Sequence, residues 1–173
     1  DADEVSGPNQ AQLRAIDAYD LSEPMLVHAL HSGVTTVQSG PGTANPLGGQ
    51  AGIFKTYASS SDDAAIVFPS GVVISFTESA KTTYGKEREF PSTRMASVGL
   101  VRQALIDAER YSRQREGDHP PSRDLGKEAL GRALSRDVTA LVSAKRVDEI
   151  ATAMSRPLPV WPMTVMSKSR GPP

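Results

Sequence analysis

Apolar positions fall along this chain in two rhythms. Some form short blocks suited to strands, and others recur every three or four residues, as on one face of a helix. Ser22-Glu23-Pro24 predicts a helix start, with Ser22 as cap, Pro24 near the first position, and Met25, Leu26, Ala29 and Leu30 as the apolar face. Gly33 ends that helix, and the mostly β-branched run from Val34 to Gln38 predicts a short buried strand. Residues 51–57 predict a second strand. Ala64 to Phe68 and Val72 to Phe76 predict two more, parted by Pro69-Ser70-Gly71 and close enough to pair as a hairpin. Ser59 to Asp63 reads as a turn, and the polar stretch from Thr77 to Arg88 as a long loop.

The clearest helix follows Pro91-Ser92-Thr93. Ser92 or Thr93 caps it, and Met95, Val98, Val101, Leu105 and Ala108 point inward. A further helix is predicted over Asp124 to Arg136, with Leu125, Ala129, Ala133 and Leu134 inward. A strand follows over Val138 to Ser143. The next helix runs from Val147 to Met154, with Val147, Ile150, Ala151 and Met154 on one face. Helices alternating with short apolar strands predict an α/β fold of mostly parallel strands with flanking helices, in one domain over residues 1–156. Pro157, Pro159, Pro162, Pro172 and Pro173 forbid a regular helix and predict an irregular tail over residues 157–173.

Composition narrows the partners. The 173 residues carry 19 basic and 20 acidic side chains, so no one-signed field points to nucleic acid or to an anionic membrane. No apolar run approaches the roughly 20 residues that span a bilayer. Asp1 to Val5 lacks the basic start and apolar middle of a signal peptide. The chain has no cysteine, which excludes disulfides and thiolate metal sites and favours a cytoplasmic setting.

Candidate chemistry gathers first at the Gly-rich loop from Gly40 to Gln50, because a short strand ending in a shaped loop is how α/β barrels build active sites. It lacks the endings of a P-loop or a dinucleotide fingerprint. It reads as a tight pocket wall, with Asn45 and Gln50 as polar contacts to substrate. Tyr84 either closes over a substrate or packs. Arg94, beside a helix cap, either meets a substrate carboxylate or pairs with Glu87 or Glu89. Glu78 is either a metal carboxylate at a strand end or a solvated loop residue. Lys145 is either an active-site group at a strand exit or a surface lysine. His28 and His31 share a helical face at i, i+3, but two ligands without a third read as surface residues. His119 lies in a Pro-flanked loop, and no Ser-His-Asp arrangement has support.

Several runs together resemble the metal-dependent amidohydrolases of the imidazolonepropionase-like and prolidase-like branch. They are Gln12-Leu13-Arg14-Ala15-Ile16-Asp17-Ala18, Gly33-Val34-Thr35-Thr36-Val37 with its loop to Gly48-Gly49-Gln50, Tyr84-Gly85 with Pro91-Ser92-Thr93-Arg94-Met95, and Arg146-Val147-Asp148-Glu149-Ile150. The resemblance implies a partial (β/α)₈ TIM-type barrel, with the chain holding strands two to five. It also implies a divalent metal, zinc by preference, and hydrolysis of a C–N bond in a small amide, cyclic amide or dipeptide-like substrate. Glu78 falls where relatives carry a bridging carboxylate, and is the one metal ligand that transfers. At Ser143-Ala144-Lys145-Arg146, a serine and a lysine stand where many relatives carry two histidines. His-x-His occurs nowhere in the chain. The resemblance therefore implies an incomplete metal site, with Lys145 as a residual catalytic group. The alternative is a non-catalytic barrel fragment that acts as a binding or assembly partner. An open half barrel leaves strand edges unpaired, so self-association or a partner chain is expected either way.

Overall fold

The computed structural model describes residues 3–154 and 163–166. Its frame is one open sheet of five strands in sequence order: β1 (Thr36–Ser39), β2 (Leu47–Lys55), β3 (Ala65–Ser75), β4 (Thr139–Ser143) and β5 (Met163–Met166). β1–β2 and β2–β3 pair antiparallel, and β3–β4 and β4–β5 pair parallel. The expectation of mostly parallel strands is thereby corrected, because β2 runs backwards between β1 and β3. β5 lies inside the stretch expected to be irregular. The result is a mixed α/β fold with a curled half-barrel sheet.

Six α-helices accompany the sheet among the described residues: α1 (Pro24–His31), α2 (Ser61–Ala64), α3 (Glu78–Lys86), α4 (Arg94–Arg115), α5 (Leu125–Leu134) and α6 (Val147–Ala153). A 3₁₀ turn at Ala15–Ala18 precedes them. One face of the sheet carries the main core. Val72, Ile74 and Phe76 of the β3 segment and Ala140 and Val142 of β4 pack against Val101, Leu105 and Ala108 of α4 and Leu130 and Ala133 of α5. The other face holds a small cluster of Ala51, Val73 and Leu141. A third cluster sits under the 3₁₀ turn, where Tyr19 stacks on Phe54 with ring centroids 4.2 Å apart.

Several expected elements are rearranged, each for a physical reason. β1 is a half-exposed edge strand and not a buried one, because β2 covers only one of its sides. The predicted hairpin of residues 64–68 and 72–76 is the single strand β3. Between the pairs Ala51–Gly71 and Ile53–Val67, Gly52 alone stands opposite Phe68, Pro69 and Ser70, so the proline sits in a bulge where no ladder N–H is needed. The predicted loop over residues 77–88 is mostly helix α3. Glu78 in its first turn and Lys86 in its last complement the helix dipole, and Ala80 and Tyr84, one turn apart, are buried. The Ser59–Asp63 turn ends in α2, capped by Ser60 through Asp63 N at 3.1 Å.

α4 is capped by Thr93, whose Oγ1 accepts from Ala96 N at 3.1 Å, and α5 by Asp124, which accepts from Lys127 N at 3.0 Å. Met95 is 83% exposed, so it is not part of the α4 core face. Leu125 is exposed too, and Leu130 takes the inward role. The face assigned to α6 is turned outward: Val147 is 85% and Met154 58% exposed, while Glu149 and Ala153 are buried.

Candidate functional site

The C-terminal ends of β3 and β4 lie side by side. Ser75 pairs with Ser143 in the parallel ladder, and Phe76 N donates to Ser143 O at 3.0 Å. Both serines are buried, and register alternation places them on the sheet face opposite Ile74 and Val142. Ser75 Oγ lies 2.9 Å from Thr77 Oγ1 and donates to Thr43 O at 3.1 Å. Ser75 N donates to Pro46 O at 2.9 Å. The Gly-rich loop is thus stitched directly to the end of β3.

The same loop is tied to the N-terminal segment. Ala44 N donates to Asp3 Oδ1 at 3.2 Å, and Asn45 Nδ2 donates to Glu4 O at 2.6 Å. Asn45 Oδ1 accepts from the hydroxyl of Tyr84 on α3. Asn45 is 1% exposed, and Tyr84 is buried as well. Both ends of the Asn45 amide are therefore engaged inside the protein, and Tyr84 packs as the pin between α3 and the loop. Burial pushes the Tyr84 hydroxyl above its ordinary pKa, with a smaller upward contribution from the carboxylates of Asp3, Glu89 and Glu4.

Gly40, Pro41 and Gly48 line a cleft of about 360 Å³, together with Asp3, Leu13 and Arg14. At neighbouring Gly42 a Cβ would lie 2.3 Å from Asp3 Oδ2, so a larger residue there would make the Asp3 carboxylate shift. Partial burial raises the pKa of Asp3, offset in part by the Ala44 N–H. An acid whose folded pKa is raised contributes stability below its unfolded pKa and loses it as pH rises through the folded value. Asp3→Asn keeps an acceptor for Ala44 and removes the buried charge. It is expected to raise the unfolding midpoint at pH 7, with the gain vanishing below about pH 4. Thermal unfolding of both proteins across pH 3–8 checks this; a constant difference over that range contradicts it.

The remaining sequence candidates fall in different places. Gln50 lies on β2, where its backbone N donates to Leu13 O at 2.8 Å and its Nε2 to Ala11 O at 3.4 Å. Arg94 does not pair with Glu87 or Glu89. It clamps α4 to α6, bonding the side chain and carbonyl of Asp148 and, at 2.5 Å, Thr152 Oγ1. His28 and His31 are exposed on α1. Glu78 begins α3 just past β3, is exposed, and forms an ion pair with Lys81. Lys145 is exposed at the exit of β4. Its backbone N, like that of Arg146, donates to the buried carboxylate of Glu149, at 2.7 and 3.1 Å.

A divalent ion does not fit this set. Zinc needs three or more deprotonated donors. The strand ends offer one carboxylate already held by Lys81, two serine hydroxyls and an ammonium that has no lone pair to give. Among the described residues, no group of three or more His, Cys, Asp or Glu is arranged to hold a metal.

Ser75 and Asp3 are the site features that sequence reading missed, and Ser143 was met only as a residue standing where relatives carry a histidine. A polar residue closing an otherwise apolar strand was the available signal for Ser75. Asp3 had none, because its role depends on a loop some forty positions away.

No protein-family model matches the chain, and no curated protein gives a significant match. Among solved structures, the crystal structure of an amidohydrolase from Thermotoga maritima MSB8 is similar, with a TM-score of 0.84 and 31% sequence identity over 89% of this chain. The chain has an amidohydrolase-like fold. It spans 42% of the length of that protein. No helix among the described residues is long and apolar enough to cross a membrane.

Proposed function

We propose that the chain serves as one wall of an amidohydrolase-type barrel that hydrolyses a C–N bond in a small amide, cyclic amide or dipeptide-like substrate. The likeness to the Thermotoga maritima amidohydrolase carries this reading. The gathering of the Gly-rich loop, the ends of β3 and β4 and a cleft at one end of the sheet supports it. The imidazolonepropionase-like or prolidase-like branch belongs to the same proposal and rests on the Gly-rich run ending at Gln50. In it Lys145, at the exit of β4, and Arg94 face substrate only if their present exposure and clamp are altered by ligand. A divalent ion, zinc by preference, enters only where donors beyond the described residues hold it, and no step here runs through it. The test is hydrolysis of N-acyl amino acids, proline-containing dipeptides and five-membered cyclic amides, with and without added zinc. Turnover that exceeds the protein-free rate supports the reading; none on any class overturns it.

A second reading, a non-catalytic barrel fragment that binds a partner or itself, has its own observation. Val147 and Met95 are more than four-fifths exposed, at 85% and 83%, and β1 leaves one edge of the sheet unpaired. Light scattering coupled to size-exclusion chromatography is expected to show self-association; a clean monomer at high concentration counts against it.

A further inference from the structure

We infer that the cleft between the N-terminal segment, the 3₁₀ turn and the Gly-rich loop holds the ammonium group of a small primary amine, with a short apolar body beside it. The cleft offers about 360 Å³, the lower end of the range for small-molecule sites. Its charge is unbalanced. Asp3, Glu4 and Asp17 bring three carboxylates to the wall, against the single guanidinium of Arg14 among the described residues that line it. Arg14 is already committed: its Nε lies 3.7 Å from Asp17 Oδ2, and its guanidinium sits 5.3 Å from the centroid of the Phe68 ring. That leaves Asp3 and Glu4 with uncharged partners. Glu4 is exposed and bonds the Ser6 backbone N at 2.8 Å. Asp3 is half-buried and spends Oδ1 on Ala44 N, while Oδ2 has no hydrogen-bond partner and the carboxylate no ion pair among the described residues. A partly desolvated carboxylate with one oxygen to spare is stabilised most by a donor that also carries positive charge. The net negative wall repels an anion. The three carboxylates are not grouped closely enough to hold a metal ion, so a cation that donates its own hydrogen bonds fits better than a bare divalent one. Leu13, Ala15, Ala18 and Pro41 supply the apolar wall for the rest of the ligand.

This inference rests on the proposed function in taking the cleft as substrate-facing, and it deepens that reading by assigning the cleft to the free amino end of a dipeptide-like substrate. The experiment titrates the full chain at about pH 7, where an alkylamine is charged. The probe is n-butylammonium, with n-butanol and butyrate as ligands of the same length carrying no charge and the opposite charge. Backbone amide resonances of Ala44 and Gly48 report binding. n-Butylammonium is expected to shift them saturably, more tightly than either comparison ligand, and to bind about tenfold more weakly to Asp3→Asn, the scale of one hydrogen bond to a charged group. The absence of a saturable shift, binding of butanol or butyrate as tight as that of the amine, or binding unmoved by Asp3→Asn overturns the inference. Thermal unfolding of Asp3→Asn separates lost binding from a lost fold. The comparison of amine with alcohol uses the parent chain alone, so it decides even where the substitution disturbs the N-terminal segment. Amide hydrolysis on the same samples keeps the two claims apart. Turnover without amine binding removes only this inference, and amine binding without turnover removes only the activity.

Discussion

Gly71→Val is expected to lower the stability of the folded chain by about 3 kcal/mol, at the upper end of overpacking costs. Gly71 lies in the middle of β3, paired with Ala51 on one side and Thr139 on the other. A Cβ at this position would lie 2.5 Å from both Cγ and Cδ1 of Leu141 and 2.9 Å from Thr139 O. The carbonyl belongs to the ladder and cannot retreat without loosening it. Leu141 is itself buried against Val73 and Ala51, so moving aside would break that cluster. The two branches of valine add to the conflict. For a chain of this size the loss corresponds to a drop of about 6–12 °C in the melting midpoint. Chemical and thermal unfolding both read it, and a midpoint unchanged within about 1 °C would mean that β3 and β4 are not paired in this register.

Glu149→Ala is expected to cost about 1–3 kcal/mol, since it removes the buried carboxylate that two part-buried backbone donors share. Glu149 is 3% exposed, and its Oε2 holds the amides of Lys145 and Arg146. Those two are the last of the three residues between β4 and α6, so the carboxylate fixes how the chain enters the helix. Glu149→Gln keeps one acceptor oxygen of the same shape and is expected to recover about half of the loss. Equal destabilisation by alanine and glutamine would show that packing, and not hydrogen bonding, accounts for the position. Hydrogen exchange at Lys145 and Arg146 adds a local reading, with faster exchange in the alanine variant.

These two positions also show where sequence reading succeeds and where it stops. The helices α4 and α5 were legible because their apolar spacing and caps are local properties: Thr93 and Asp124 cap as their residue types predict. The strand β4 was legible as a short apolar run. β3 was read as two strands because Pro69 looks like an interruption until Gly52 is seen opposite the bulge. α3 was read as a loop because its helical signal is only Ala80 and Tyr84, and Tyr84 is buried through a partner, Asn45, that lies across the fold. α6 was turned the wrong way because its buried face includes a glutamate. Periodicity treats Glu149 as surface, whereas the β4–α6 turn supplies the two amides that make its burial favourable. At the candidate site, the strand-end positions of Glu78 and Lys145 were legible, since both follow directly from apolar runs. Their partners were not, because Lys81 lies on α3, a helix that polar sequence hides, while Glu149 and the clamp of Arg94 on Asp148 depend on which face α6 turns to the fold.

The reversal of β2 has a consequence for the route by which the chain folds. β1, β2 and β3 follow one another through short connections, so each can find its neighbour by closing a small loop. β4 has to return to β3 across the whole span of α3, α4 and α5. Loop-closure entropy makes that parallel pairing the slowest contact to form. The antiparallel ribbon and the α4–α5 pair are expected to form before it, which places the β3–β4 pairing late in assembly.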